Sequence, residues 1–381
     1  MRILILSCNT GEGHNTAGRA VMECARKQGH EAVMLDIMML SGKRTSRLVG
    51  GSYVGIVQYA PWFFNMLYKA GGKISSTRRR SPVYYTNALM AKHLYRYLED
   101  NEFDVIVTPH LFAAETLTFM KQKGLLRQKT VSVITDYTCI PFWEETNCDW
   151  YILPHEDLIE EYVLRGLPPR KLLPYGIPVR PAFLEETDAI EAKRQCGLSP
   201  EGRAYLVMGG SMGFGEIQLF VTELAHIKTA EESIVILCGN NLQLENKLRR
   251  MFARVHGIRV LGFTNHVSLY MDACDVVFTK PGGLTSTEAA VKQIPIVHTK
   301  PIPGCETANL QFFTARGMSV TADGIEKQAA LGRELLRSTE KAKRMKQSQA
   351  KNSKPQASLQ IVRLLERITQ KPGVETGDDK L

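Results

Sequence analysis

Two doubly wound α/β domains facing each other across a cleft are the fold this sequence predicts, on three observations. Short apolar runs alternate with helical patterns along most of the chain. Pro174, Gly176, Pro178 and Pro181 punctuate the chain near its middle and divide that alternation in two. Glycine-rich turns follow strands in both halves, as ligand sites at the carboxyl ends of parallel strands require. A chain of 381 residues is long enough for two full cores.

ILIL (3–6) is continuously apolar, the pattern of a parallel strand covered on both faces. The turn SCNTGEGHNT leads into a helix from Ala17 to Gln28, and EAVMLDI (31–37) is the second strand. A helix near Tyr85 to Glu99, a strand DVIVTP (104–109), a helix around Ala113 to Lys123 and a strand TVSVITD (130–136) come next. DWYILP (149–154), a helix from Glu156 to Arg165 and LLPYGIPV (172–179) close the first half. Pro174, Gly176, Pro178 and Pro181 place the boundary at 176–182. The second half takes AYLVMGG (204–210), SIVILCG (233–239), RVLGF (259–263), DVVFTK (275–280) and PIVHT (295–299) as its strands. Charged helical sequence runs from Gly324 to Ile368, and KPGVETGDDKL is expected to be disordered. The assignment is a first domain 1–176, a second 177–325, a helical extension 326–370 and a tail 371–381.

The eight cysteines contain no CxxC pair and join no histidines at zinc-ligand spacing, so neither a disulfide framework nor a metal site is indicated, and a reducing, cytoplasmic setting fits. The opening MRILILSCNTGEGH is too short an apolar run for a signal-peptide core and reads as a first strand. The net charge of +9 is regional. From Ile37 to Leu98 there is no acidic residue, while Lys43, Arg44, Arg47, Lys69, Lys73, Arg78, Arg79, Arg80, Lys92 and Arg96 are all cationic. Between Arg47 and Lys69 the chain is uncharged and carries Trp62, Phe63 and Phe64. An interfacial element that dips these aromatics among lipid headgroups, with Arg78, Arg79 and Arg80 near phosphates, accounts for both features. A spanning helix is disfavoured because Gly50, Gly51, Gly55, Gln58, Pro61 and Asn65 interrupt it, and a core-packed segment with solvated flanks is the remaining alternative. Nucleic acid is not expected as a partner, since no binding motif accompanies the cations.

The segment with most chemistry is Asp275 to Asn309. Strand DVVFT runs into KPGGLTSTEAA, where Gly282 and Gly283 let a ligand approach the backbone and a helix start offers free N–H groups and hydroxyls to a diphosphate. Glu288, one turn in, suits the two hydroxyls of a ribose. The stretch lacks the Lys-Ser/Thr of a P-loop and does not match GxGxxG; an ordinary strand-to-helix turn is the alternative. In the first half His14 of GEGH stands at a strand end facing the expected cleft, as does Asp136 of TDY.

NTGEGHNTAGRAV, GGSMG (209–213), GFT (262–264), KPGGLTSTEAA and PIPGCETAN, in this order, resemble the monogalactosyldiacylglycerol synthases and bacterial processive diacylglycerol glucosyltransferases of glycosyltransferase family 28, over residues 1 to 365. The resemblance implies a GT-B fold, a UDP-hexose donor on the second domain, a diacylglycerol acceptor on the first, and peripheral attachment to anionic lipid on the inner face of the cell membrane. By motif, Gly209, Gly210, Ser211 and Met212 would lie against the diphosphate, Phe263 would hold the uracil through its backbone, and Gly283, Leu284, Thr285 and Ser286 would complete the cradle. Gly239 joins this set, Glu288 would bind the ribose, and Glu306 and Asn309 the donor hexose. Plant galactolipid synthases tend to carry Gln where this chain has Cys305, which leaves glucose and galactose both open. His14 is the first choice of base for an inverting transfer, and Asp136 is the second choice or its orienting partner. No cofactor or metal is expected, since no DxD pair stands in a suitable loop. Transfer of N-acetylglucosamine to another lipid, a soluble UDP-sugar epimerase of the same fold, and a non-catalytic binding module are the competing functions.

Overall fold

The computed structural model describes residues 1–8, 12–42, 80–209 and 217–370. The aromatic stretch from Arg47 to Lys69, with Trp62, Phe63 and Phe64, the cations Arg78 and Arg79, the loop residues Gly210, Ser211 and Met212, and the tail 371–381 lie outside them. Strands β1 (Arg2–Ser7), β2 (Glu31–Asp36), β3 (Val105–Thr108), β4 (Lys129–Val133), β5 (Trp150–Ile152) and β6 (Leu172–Leu173) form one sheet in the order β2-β1-β3-β4-β5-β6. Strands β7 (Arg203–Met208), β8 (Glu232–Leu237), β9 (Ile258–Leu261), β10 (Val276–Thr279) and β11 (Ile296–His298) form a second, in the order β11-β10-β7-β8-β9. Every pairing is parallel. This is the GT-B arrangement of two Rossmann-like sheets.

Burial explains the apolar runs. Ile3, Leu4, Ile5 and Leu6 are fully buried, as are Val276, Val277 and Phe278 in the other sheet, because helices cover both faces. In each sheet the strand order reverses beside its first strand, between β1 and β3 and between β7 and β10. Loops leaving the strands part at such points and open a crevice. His14 follows β1 and His110 follows β3, and the glycine-rich turn at 282–283 follows β10, so the topology sets chemistry-bearing residues at both crevices.

The helical extension does not stay with the second sheet. Its last helix, Ala357–Thr369, returns to the first domain and buries Ile361, Val362, Leu364 and Leu365 with Ile3, Ile5, Val21 and Ala25. Two chain segments therefore cross between the domains side by side. They touch where a Cβ on Gly176 (φ +99°) would meet Lys354 Cβ at 2.4 Å, and where Ser358 Oγ donates to Val179 O at 3.0 Å.

Three elements differ from the sequence reading. The first helix begins at Glu12, not Ala17, with an Arg19–Glu12 ion pair in its opening turns and Ser7 Oγ donating to Asn15 Oδ1 at 2.6 Å. The helix expected from Tyr85 to Glu99 is two, Pro82–Ala88 and Ala91–Asp100. Its earlier start follows from Pro82 in the first helical turn and Ser81 Oγ accepting Tyr84 N–H. At the break, Asn87 O is shared between Met90 N–H and the Thr116 hydroxyl. LLPYGIPV pairs only at Leu172–Leu173, since Pro174 has no N–H to extend the ladder.

Helix Ile325–Arg337 lies so close over the second sheet that a Cβ on Gly332 would stand 2.0 Å from Phe278 Cζ. Gly332→Ala is accordingly expected to destabilise the protein by about 1–3 kcal/mol through overpacking, read as a lower urea midpoint at unchanged slope.

Candidate active site

On the first domain, His14 is held by the loops after β3 and β4. Its Nδ1 is 3.0 Å from Pro109 O and 2.9 Å from Thr135 Oγ1. A carbonyl can only accept, so Nδ1 carries the proton and the basic lone pair is on Nε2. Burial holds the imidazole below its ordinary value, against the opposing charge of Asp136 and the bond to Pro109. His14 is thus neutral near pH 7, as a base must be. Beside it, with ring centroids 4.7 Å apart, lies His110. His110 Nδ1 accepts Phe112 N–H at 3.2 Å and caps helix Leu111–Gln122. Burial, and then the proximity of His14, holds His110 well below its usual value.

Asp136 does not grip His14 directly; it acts on it through charge. Its Oδ1 accepts Asn309 Nδ2–H at 3.0 Å, and burial, then the charge of the same carboxylate, holds the Cys305 thiol well above its ordinary value. The orienting contacts expected of Asp136 are supplied by Pro109 and Thr135.

On the second domain, helix Gly283–Val291 starts at the end of β10. Ser286 N–H already donates to Gly282 O, which leaves Gly283, Leu284 and Thr285 as the backbone donors of the first turn. The helix points its positive end at the crevice. Glu288, one turn in, is buried, and that burial pushes its carboxyl up to about 8, with Arg180 opposing.

Between the two surfaces lies a cavity of about 410 Å³. Leu284, Thr285, Glu288, Gly239 and Phe263 line it from the second domain, and Gly13, Glu12, Thr16 and Arg19 from the first helix. Gly209 is buried at the end of β7, next to Met208, which lines the same cavity. The structure thus brings together most of the described donor-site candidates.

It turns others away. Ser286 uses its hydroxyl on His298 Nε2 at 3.0 Å and its N–H within the helix, so it braces the cradle from the core side. Glu306 pairs with Lys280 and accepts Ile302 N–H at 2.8 Å, fixing the loop after β11. Asn309 is fully buried and spends its amide on protein partners. Arg80, expected near lipid phosphates, donates to Glu145 O and lies over the Tyr84 ring at 5.0 Å, so its guanidinium serves the first domain's interior.

Sequence reasoning missed Arg180, Arg19, Thr135 and His110. Arg180 follows the Gly-Ile-Pro-Val crossing, lines the cavity and donates to Asn265 O at 2.9 Å. His110 had a legible signal, a histidine just beyond a strand end like His14. Among the described residues no cluster of His, Cys, Asp and Glu has the form of a metal site, and no helix is long and apolar enough to cross a membrane.

Residues 14–179 match the monogalactosyldiacylglycerol (MGDG) synthase family, and residues 204–368 match the glycosyltransferase family 28 C-terminal domain. The processive diacylglycerol beta-glucosyltransferase of Bacillus subtilis (strain 168) is 26% identical over 353 residues, covering 91% of this chain and 90% of that one. The chloroplastic monogalactosyldiacylglycerol synthase of Spinacia oleracea is 26% identical over 390 residues, covering 97% of this chain and 73% of that one. Among solved structures, Anabaena HepE in complex with UDP-glucose superposes with a TM-score of 0.57 at 13% identity, over 97% of this chain and 99% of that one.

Proposed function

The chain belongs to the monogalactosyldiacylglycerol synthases and family 28 glycosyltransferases, and from that premise we propose that it transfers glucose or galactose from a UDP-sugar to the hydroxyl of diacylglycerol, with inversion, at the cytoplasmic face of a membrane. One observation carries the reading. A helix N-terminus with a buried carboxylate one turn in shares a cavity with the first turn of the helix that bears a neutral histidine. The names of the relatives support diacylglycerol as acceptor, and the Anabaena complex supports a UDP-sugar donor.

The steps follow from the groups present. His14 Nε2 takes the acceptor hydroxyl proton as that oxygen attacks the anomeric carbon, from the face opposite the diphosphate. The bond from the anomeric carbon to the diphosphate oxygen breaks, and UDP leaves with the electron pair. The added negative charge is met by the N–H groups of Gly283, Leu284 and Thr285, aided by Arg180 and Arg19, without a metal ion. Each such donor is worth about 10²–10³ in rate. His14 then returns its proton to solvent.

Glu288 gives this donor site a proton signature. Ribose hydroxyls donate to a carboxylate and favour its charged form, so bound nucleotide lowers a carboxyl that stands at about 8 when the site is empty. UDP binding near pH 7 is therefore expected to release up to about one proton, and affinity to rise with pH until about pH 8. Calorimetry in buffers of different ionisation enthalpy measures the release, and Glu288→Gln should abolish it.

The function itself is tested by incubating the protein with anionic liposomes containing diacylglycerol and, separately, UDP-glucose, UDP-galactose and UDP-N-acetylglucosamine. Glycolipid from UDP-glucose or UDP-galactose is the expected result. Epimerised or hydrolysed donor without glycolipid overturns it.

A further inference from the structure

We propose that Glu12 competes with the donor's diphosphate for Arg19, so that donor binding moves the Arg19 guanidinium from Glu12 to phosphate, and UDP leaves as Glu12 takes it back. The proposal rests on the UDP-sugar reading of the cavity given above. It starts from a stripe on the first helix, Glu12–Lys27. Glu12, Thr16 and Arg19 all line the cavity, and positions four and seven apart share one helical face. Ion pairs along a helix ordinarily join positions three or four apart. Glu12 and Arg19 pair across seven, about 10.5 Å along the axis, so both side chains must lie stretched over Thr16 to meet. Arg19 Nη2 also donates to Thr16 Oγ1 at 3.3 Å, and Asn15 Nδ2 donates to Glu12 Oε1 at 3.5 Å.

Relative strengths decide which anion holds Arg19. The side chains of the pair are 37% and 32% exposed, for Arg19 and Glu12 respectively. A pair so open to water is weak, since solvent screens it and two long side chains give up rotamer freedom to form it. Hydrogen bonds from a guanidinium to phosphate are about twice as strong as neutral ones, and they form two at a time. A diphosphate in the cavity therefore takes the guanidinium. The rest of the wall makes the exchange consequential. Among the described residues lining the cavity, the cations are Arg19 and Arg180 and the acids are Glu12 and Glu288. Arg180 donates to Asn265 O at 2.9 Å and opposes Glu288. Arg19 is held by Glu12 and Thr16 of its own helix, so it can turn without disturbing either domain. Once it has turned, Glu12 remains at the wall as a competing anion and limits how firmly UDP is kept after transfer.

The test compares the wild type with Glu12→Gln, Arg19→Gln and the double variant. Calorimetry reads the affinities for UDP and for uridine, and stopped flow reads UDP dissociation. Both side chains lie partly in solvent, so the substitutions leave the core untouched. Arg19→Gln should weaken UDP binding by ~10-fold and leave uridine binding unchanged. Glu12→Gln should tighten UDP binding by ~5-fold and slow its dissociation by a similar factor. In the Arg19→Gln background the same substitution should gain less than ~2-fold, the coupling that a shared partner imposes. An equal gain in both backgrounds overturns the exchange, because Glu12 then acts through its charge alone. A loss of uridine affinity in Arg19→Gln also overturns it, by placing the guanidinium on the base or the ribose. UDP binding that neither single variant alters overturns the exchange and leaves the donor reading standing. No UDP binding by the wild type overturns both.

Discussion

Alanine at position 14 is expected to lower kcat by about 10²–10⁴-fold, the contribution of a placed general base, with UDP affinity little changed. The asymmetry follows from the geometry, in which Gly13 lines the donor cavity while His14 is bound into the loops after β3 and β4. The pH profile carries a second signature. Burial keeps His14 neutral below its ordinary 6.5, so the acid limb of kcat/KM should fall below pH 6.5. Asp136 opposes that burial, and its loss in Asp136→Asn should move the limb further toward acid and leave a measurable rate. If Asp136 were the base, the asparagine variant would instead lose about 10²–10⁴-fold in kcat, and His14→Ala would keep most of its rate. Glycolipid formation from pH 5 to 9 in the three proteins decides between the two.

What could be read from the sequence depended on whether a local pattern decides the structure. The buried strands were legible because a parallel sheet covered on both faces needs uninterrupted apolar runs, and ILIL and VVFT are such runs. The cradle was legible because a glycine pair followed by hydroxyl residues marks a helix start after a strand. The break at Leu89 was not, because it depends on Thr116, distant in sequence, reaching Asn87 O. Nor was the return of the last helix to the first domain, since an amphipathic face names no partner. The same limit applies inside the site. Motif position assigned Ser286 and Asn309 to the ligand, but a short sequence does not say which way a helical side chain turns. The structure commits Ser286 to His298 and Asn309 to the domain contact.

Gly283 and Gly282 separate two reasons for glycine that the sequence offers as one. A Cβ on Gly282 would meet nothing within 4 Å, whereas a Cβ on Gly283 would stand 1.9 Å from Thr135 O and 3.4 Å from Asp136 Cα. The second glycine is therefore required by the other domain, not only by a ligand. Thr135 cannot simply move aside, because its hydroxyl contacts His14 and the next two residues are bound by Asn309. Gly283→Ala is expected to force the domains apart at the point where cradle and base meet. A displacement of about 1 Å there costs on the order of 10²-fold in kcat. Gly282→Ala, whose φ of −72° suits any residue, should leave the domain contact intact and affect only how closely a diphosphate approaches the backbone. Measured together, the first variant should lose kcat and show a larger radius of gyration by small-angle scattering, while the second should keep the wild-type radius and show its effect in donor KM. Equal effects of the two alanines on KM, with no change in radius, would mean that both glycines serve the ligand and that the domain contact plays no part in turnover.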